Sequence, residues 1–292
     1  MESYNSVEVR NAREDYRKSL LQTERSQVTI RNYMQFLEKF IEFLERQMNG
    51  MVYVNEITHA HIETFLFQER ERGMAPKTRN IMLGVIRAFL KYCTKMDLIA
   101  KNPAEKLNPI KFTSKERGYL TADEFERLIA QATHPVMRTL FLTLYFTGLR
   151  IAEARNLRLC DVRLEAKLIK VIEGKGKKNR DIPINDTLYS ILKAYLEEIR
   201  DPKVESDRFF ATEKTGAVSN QYANEYLNVI TKKAGLTKKV SCHILRHSFA
   251  SNLVKKNVNI VSVQKLLGHS SLKTTSIYTH VNIDELRIAV NA

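Results

Sequence analysis

Three short segments gather side chains able to handle a phosphate: Thr147-Gly148-Leu149-Arg150-Ile151-Ala152-Glu153, His243-Ile244-Leu245-Arg246-His247, and Leu267-Gly268-His269, with Tyr278 nine positions further on. An arginine offers a planar fork of donors that fits two phosphate oxygens at once. A tyrosine is ordinarily a poor nucleophile, because its phenol keeps its proton up to pH ~10. Cations close to it favour the phenolate. Together these groups suit one reaction, in which a phenol attacks a phosphodiester while fixed cations hold the phosphate.

Each segment alone has a plainer reading. In a helix, His243, Arg246 and His247 share one face; that face can bind phosphate or simply lie on the surface. His243 and His247 also have zinc-ligand spacing, but Ile244 stands where a zinc-protease helix needs its glutamate. Arg150 follows a helix-breaking Thr147-Gly148 turn between apolar segments. An arginine so near the core must pair, and Glu153 is within reach, so a structural ion pair is the plainer account. Gly174-Lys175-Gly176-Lys177 lacks the spacing of a nucleotide-binding P-loop. A lysine on such a turn is either solvated or, beside a phosphate, a general acid for a leaving oxygen.

The chain has 292 residues, enough for two domains of ordinary size. Its 43% hydrophobic and 27% charged residues suit a soluble globular protein rather than a disordered one. No apolar stretch is long enough to cross a bilayer, and Met1 to Arg10 has no signal-peptide core. Cys93, Cys160 and Cys242 are scattered and odd in number, which fits a reducing cytoplasm rather than a disulfide framework. The net charge is +14 and unevenly placed: residues 1–108 hold 17 basic and 14 acidic side chains, residues 109–292 hold 30 and 19. A basic excess in one half points to a polyanion, with nucleic acid the default candidate.

The elements that must position the chemical groups follow from periodicity. Residues 1–108 read as an all-helical domain, with helices over Arg13–Leu21, Thr29–Arg46, from Thr58 to just before Gly73, and over Pro76–Lys95. Asn102-Pro103 and Asn108-Pro109 break the pattern, and 109–117 reads as a basic linker. The second domain, 118–292, opens on a capping box, Thr121 to Glu124. Pro135–Phe146 is apolar all round and so a buried helix; Ile151–Leu159 restarts after the turn. Lys167–Glu173 and Asp181–Ile184 alternate as strands of a hairpin whose tip is Gly174 to Arg180. Helices return at Thr187–Ile199, Asn220–Ala234, Ile244–Lys255 and Val261–Leu267. The fold class is therefore mainly α with a small β-sheet or hairpin. A short amphipathic tail helix, about 282–290, has nothing local to bury against.

Taken together and in this order, these motifs resemble the tyrosine recombinases of the phage-integrase family, most closely the Xer branch. The resemblance spans essentially the whole chain. Thr29-Ile30-Arg31-Asn32-Tyr33 through Phe43-Leu44, and Asn102-Pro103-Ala104, look like the core-binding domain and its exit. The family's Arg-Lys-His-Arg-His-Tyr set falls on Arg150, Lys175, His243, Arg246, His269 and Tyr278, with Lys177 and Lys178 as alternative positions for the lysine. Its acidic position falls on Glu153, and the second histidine of its H-x-x-R-H motif on His247, in a structural role.

The resemblance implies a core-binding domain followed by an α+β catalytic domain. It implies site-specific strand exchange through a 3′-phosphotyrosyl bond, for chromosome-dimer resolution or mobile-element integration and excision. Neither cofactor nor metal is implied, because one ester replaces another and arginines supply the positive charge. The implied partners are double-stranded DNA and further copies of the chain in a tetramer, with a second recombinase as an open option; no membrane is implied. The implied location is the cytoplasm, on the nucleoid. The tail helix would dock on a neighbouring subunit, or fold back on its own when free. A type IB topoisomerase shares the chemistry and is the alternative.

Overall fold

The computed structural model describes residues 6–23, 25–112, 118–172, 179–201, 205–213, 215–268, 287, 290 and 291. Among the described residues the fold is mainly helical with one three-stranded sheet, and the chain divides into two compact units, Met1–Lys115 and Glu116–Ala292. No helix among the described residues is long and apolar enough to cross a membrane.

The first unit is built from α1 (Val9–Gln22), α2 (Gln27–Met48), α3 (His59–Glu71) and α4 (Pro76–Lys95). The starts of α2, α3 and α4 are encoded locally. Ser26 and Thr58 accept hydrogen bonds from backbone N–H groups of the first turns of α2 and α3, and Pro76 stands at the first turn of α4, where no N–H is needed. The apolar stripes of α2 and α4 bring Leu37, Phe40, Leu44, Ile86, Phe89 and Leu90 into one core, fully removed from water. Phe65 of α3 seals it, its ring 5.2 and 5.4 Å from those of Phe40 and Phe43. The exit segment is tied back to α4. Arg87 donates to the carbonyls of Ala104 and Leu107, and Asn80 exchanges two hydrogen bonds with the backbone of Ile110.

The second unit surrounds α6 (Pro135–Thr147), which buries Val136 to Tyr145 on nearly every side except Arg138. Its three buried threonines, Thr139, Thr143 and Thr147, each donate to the carbonyl four residues earlier, so no hydroxyl is stranded. Around it lie α5 (Ala122–Ala130), capped by Thr121 and Glu124 as the sequence expects, α7 (Ile151–Asn156), α8 (Asp186–Ala194), α9 (Asn220–Lys233), α10 (Cys242–Lys255) and α11 (Ile260–Leu267). The sheet is antiparallel in the order β1 (Val162–Arg163), β2 (Leu168–Val171), β3 (Arg180–Pro183), with Ile169 opposite Ile182.

Several details differ from the periodicity. The first helix starts at Val9 rather than Arg13, and the helix expected over Ile151–Leu159 stops at Asn156, before a 3-10 turn over Leu159–Asp161. The short strand β1 is extra; two residues are too few to show alternation. The helix expected over Thr187–Ile199 changes pitch, with α8 ending at Ala194 and a π turn running over Tyr195–Ile199. The wide turn lets Tyr195 bury its ring against Phe209 and Phe210 and donate its hydroxyl to the Phe209 carbonyl. Of the tail, Arg287 donates to the Ala166 carbonyl, Asn185 donates to that of Val290, and Val290 packs on the core of its own unit.

Two helix ends meet at the centre of this unit. Gly148 closes α6 with φ +64°, a left-handed conformation that favours glycine. A Cβ there would collide with the Phe249 ring and lie 2.9 Å from Leu267 Cδ2. Gly148→Ala therefore carries both a strained backbone and an overpacked core, and the expected loss of stability is about 2–3 kcal/mol, read from urea unfolding.

Candidate active site

α7 presents the first arginine. Arg150 sits at its N-cap, and its own backbone N–H donates to Glu153 Oε2 at 2.7 Å. The Arg150 Nη1 donates to Glu153 Oε1 at 2.6 Å. The carboxylate three residues on thus fixes both the backbone entry and the side chain. Arg246 comes from the first turns of α10 and is buried. Its Nη1 donates to the carbonyl of Gly148 at 2.7 Å, its Nη2 to that of Leu267 at 2.5 Å, and Nη1 stands 3.9 Å from Glu153 Oε2. One guanidinium therefore staples the end of α6 to the end of α11.

The end of α11 is where the cations converge. Gly268 caps it in the left-handed conformation, leaving the last carbonyls without intrahelical donors. Three arginines fill them in sequence: Arg180 donates to Leu266 O, Arg246 to Leu267 O and Arg150 to Gly268 O. The negative end of the helix dipole favours such an arrangement. Three guanidinium groups face one carboxylate among these four side chains, which leaves a surplus of positive charge. Arg150 keeps 31% of its side chain in solvent, against 9% for Arg246 and 12% for Arg180. It is the guanidinium an incoming anion reaches most readily.

Sequence reasoning overlooked Arg180, treating it only as the end of the hairpin tip. Its Nη2 and Nη1 donate to the two oxygens of Glu153 at 2.8 and 3.2 Å. A signal was there. In β3 the side chains alternate, Asp181 outward and Ile182 inward. Residue 180 therefore shares the inward face of Ile182, and an inward arginine must find a partner.

His243 lies exposed in the first turn of α10, and His247 is half-buried one turn on. Cys242 is buried instead, which pushes its thiol up to about 12, so it offers no thiolate beside His243. Lys175, with its alternatives Lys177 and Lys178, and also His269 and Tyr278 lie outside the described residues. The structure thus joins Arg150, Glu153 and Arg246, adds Arg180, and places α11 so that its end leads directly into His269.

Burial alone would raise the Glu153 carboxyl, but the hydrogen bond from Arg180, those from Arg150 and the Arg180 charge hold it below the ordinary value of 4.5. A carboxyl depressed in the folded state adds stability that is full above its unfolded value and lost as pH falls through the folded one. Glu153→Gln is expected to cost about 3 kcal/mol near pH 7, because the cations around it lose their counter-charge. The gap to the unaltered chain should close as pH drops below 4.5, which urea unfolding at a series of pH values would show.

Residues 118–285 match the phage integrase family, and residues 14–96 match the phage integrase N-terminal SAM-like domain. The chain is 32% identical over 274 residues to the tyrosine recombinase XerC of Oceanobacillus iheyensis, covering 90% of this chain and 89% of that one. It is 31% identical over 287 residues to the XerD of Staphylococcus saprophyticus, covering 95% and 96%. Among solved structures it resembles a lambda integrase dimer bound to a COC′ core site, with TM-score 0.77, 21% identity and coverage of 93% of this chain and 77% of that one. A lambda integrase tetramer bound to a Holliday junction gives TM-score 0.77 at 21% identity, with 97% and 82% covered. The chain belongs to the phage integrase family, among its tyrosine recombinases.

Proposed function

We propose that the chain cuts and rejoins duplex DNA at a specific site through a tyrosyl ester, with Arg150 and Arg246 holding the scissile phosphate. The observation that carries this reading is the convergence of both guanidinium groups on the carbonyls of Leu267 and Gly268, at the threshold of the segment bearing His269 and Tyr278. In the proposed step the Tyr278 oxygen bonds to phosphorus, and the bond to the 5′-oxygen breaks. The phenol proton passes to His269. The 5′-oxygen takes a proton from Lys175 and departs as a hydroxyl. Reversal with a different 5′-hydroxyl joins new partners, so no external energy source is needed. Charge grows on the non-bridging oxygens in the transition state, where Arg150, Arg246, His243 and His269 donate. Glu153 and His247 support the donors.

The partner is double-stranded DNA, and the working assembly is a tetramer of this chain or of this chain with a second recombinase. The solved relatives bound to a core site and to a Holliday junction support this reading, as does the basic surplus of residues 109–292. Duplex DNA as substrate favours the cytoplasm as the place of action. The XerC and XerD relatives, matched along about nine-tenths of the chain, favour recombination over type IB topoisomerase activity.

The test uses a duplex selected from a randomised library by its affinity for the chain, and nicked in its central region to trap the ester. A denaturing gel should show a covalent protein–DNA band that Tyr278→Phe abolishes. Arg150→Ala should slow formation of the band by about a hundredfold or more, the cost of losing one donor to a developing oxyanion. A band of equal yield in Tyr278→Phe would remove that residue as the nucleophile.

A further inference from the structure

Arg180 is the first residue of β3, on the C-terminal side of the segment that bears Lys175. Its guanidinium reaches both oxygens of Glu153, at 2.8 and 3.2 Å, while its Nε donates to Leu266 O at 3.2 Å. It lies flat under the cap of α11. A Cβ built on Gly268 would stand 2.8 Å from Arg180 Cζ, so the guanidinium keeps this place only against a glycine, which the left-handed backbone also favours. Glu153 in turn holds Arg150 through a backbone and a side-chain hydrogen bond. A continuous chain of contacts therefore runs from β3 through Glu153 to Arg150, and a parallel one from β3 to the helix end that Arg150 and Arg246 also grip.

Arg180 is nearly enclosed, whereas Arg150 is the more open guanidinium. The two arginines on one carboxylate therefore differ in task. We propose that Arg180 is a positioning residue for DNA cleavage: by orienting Glu153 and the end of α11, it aims the Arg150 guanidinium at the scissile phosphate. The planar fork is essential to this task, because it serves two carboxylate oxygens and a backbone carbonyl at once. A lysine ammonium is a single point charge on a flexible stem and reproduces only part of it. The proposal rests on the recombinase reading given above.

The test compares Arg180→Lys and Arg180→Ala with the unaltered chain on the same selected, nicked duplex, under single-turnover conditions. Three quantities are read: the rate of covalent complex formation, the affinity for the duplex, and the thermal unfolding midpoint. A second duplex carries sulfur in place of the 5′-bridging oxygen at the scissile phosphate; its thiolate leaves without needing a proton. Arg180→Ala should cut the cleavage rate by about a hundredfold, the scale of loss when a clamping group is displaced by about 1 Å. Affinity should change little, since phosphate contacts elsewhere carry it. Arg180→Lys, which keeps the charge, should unfold near the midpoint of the unaltered chain yet recover only part of the rate. Both variants should be as impaired on the sulfur duplex as on the oxygen one.

Unaltered cleavage in both variants would overturn the proposal. So would full recovery in Arg180→Lys, which would mean that charge alone suffices. So would a defect that vanishes on the sulfur duplex, which would reassign Arg180 to the proton-donating hairpin. If the unaltered chain itself formed no covalent complex on any nicked duplex, the recombinase reading would fall instead.

Discussion

One carboxylate, that of Glu153, governs the centre of the catalytic unit. Three guanidinium groups crowd around it and around the end of a single helix. Desolvated cations at such distances repel one another, and each loses hydration. The carboxylate and the carbonyls of Leu266, Leu267 and Gly268 supply hydrogen-bond acceptors in place of water. The arrangement holds only if α6, α7, α10, α11 and β3 all meet at one point, so the packing of the unit and the chemistry of its centre are the same problem. The left-handed turns at Gly148 and Gly268 solve it geometrically: a side chain at Gly148 would run into Phe249 and Leu267, and one at Gly268 into the Arg180 guanidinium.

The consequence is preorganisation. Arg246 is held at Nη1 and Nη2 by backbone carbonyls, and Arg150 by its carboxylate and by Gly268. Neither side chain has to be ordered when a phosphate arrives, so the entropy of fixing a long flexible group is spent during folding. The positive charge that Arg150, Arg180 and Arg246 hold in excess of Glu153 favours an anion there, and most of all one whose charge increases, as a phosphoryl transition state's does. Burial of Arg246 adds strength, because interactions weaken less where water is thin.

Much of this was legible before any coordinates. Helices α2 to α4 follow from apolar spacing and their starting residues, and Pro76–Lys95 falls where the spacing puts it; α1, without a side-chain cap, begins four residues before the expected Arg13. The buried helix α6 is announced by its apolar run, and Thr121 with Glu124 by the capping pattern. Arg150 with Glu153 could be paired on spacing alone, and the stretch His243 to His247 does form the first turns of a helix. What could not be read was long-range. Arg180 lies 27 residues from Glu153 and 86 from Leu266, and no local pattern connects them. The two carbonyls that Arg246 binds are 98 and 21 residues away. The π turn at Tyr195 accompanies ring contacts with Phe209 and Phe210, which no local periodicity announces. Periodicity describes a helix face; it does not say which helix ends will share a cation.

The central claim is that the arginine pair acts by neutralising charge on the phosphate. The most direct measurement replaces one non-bridging oxygen of the scissile phosphate by a methyl group, which removes that charge while leaving the bonds to be exchanged intact. Single-turnover cleavage of this neutral duplex and of the ordinary one is then compared for the unaltered chain and Arg150→Ala. The account predicts that the large defect of Arg150→Ala on the ordinary duplex shrinks markedly on the neutral one. A defect of the same size on both would contradict it.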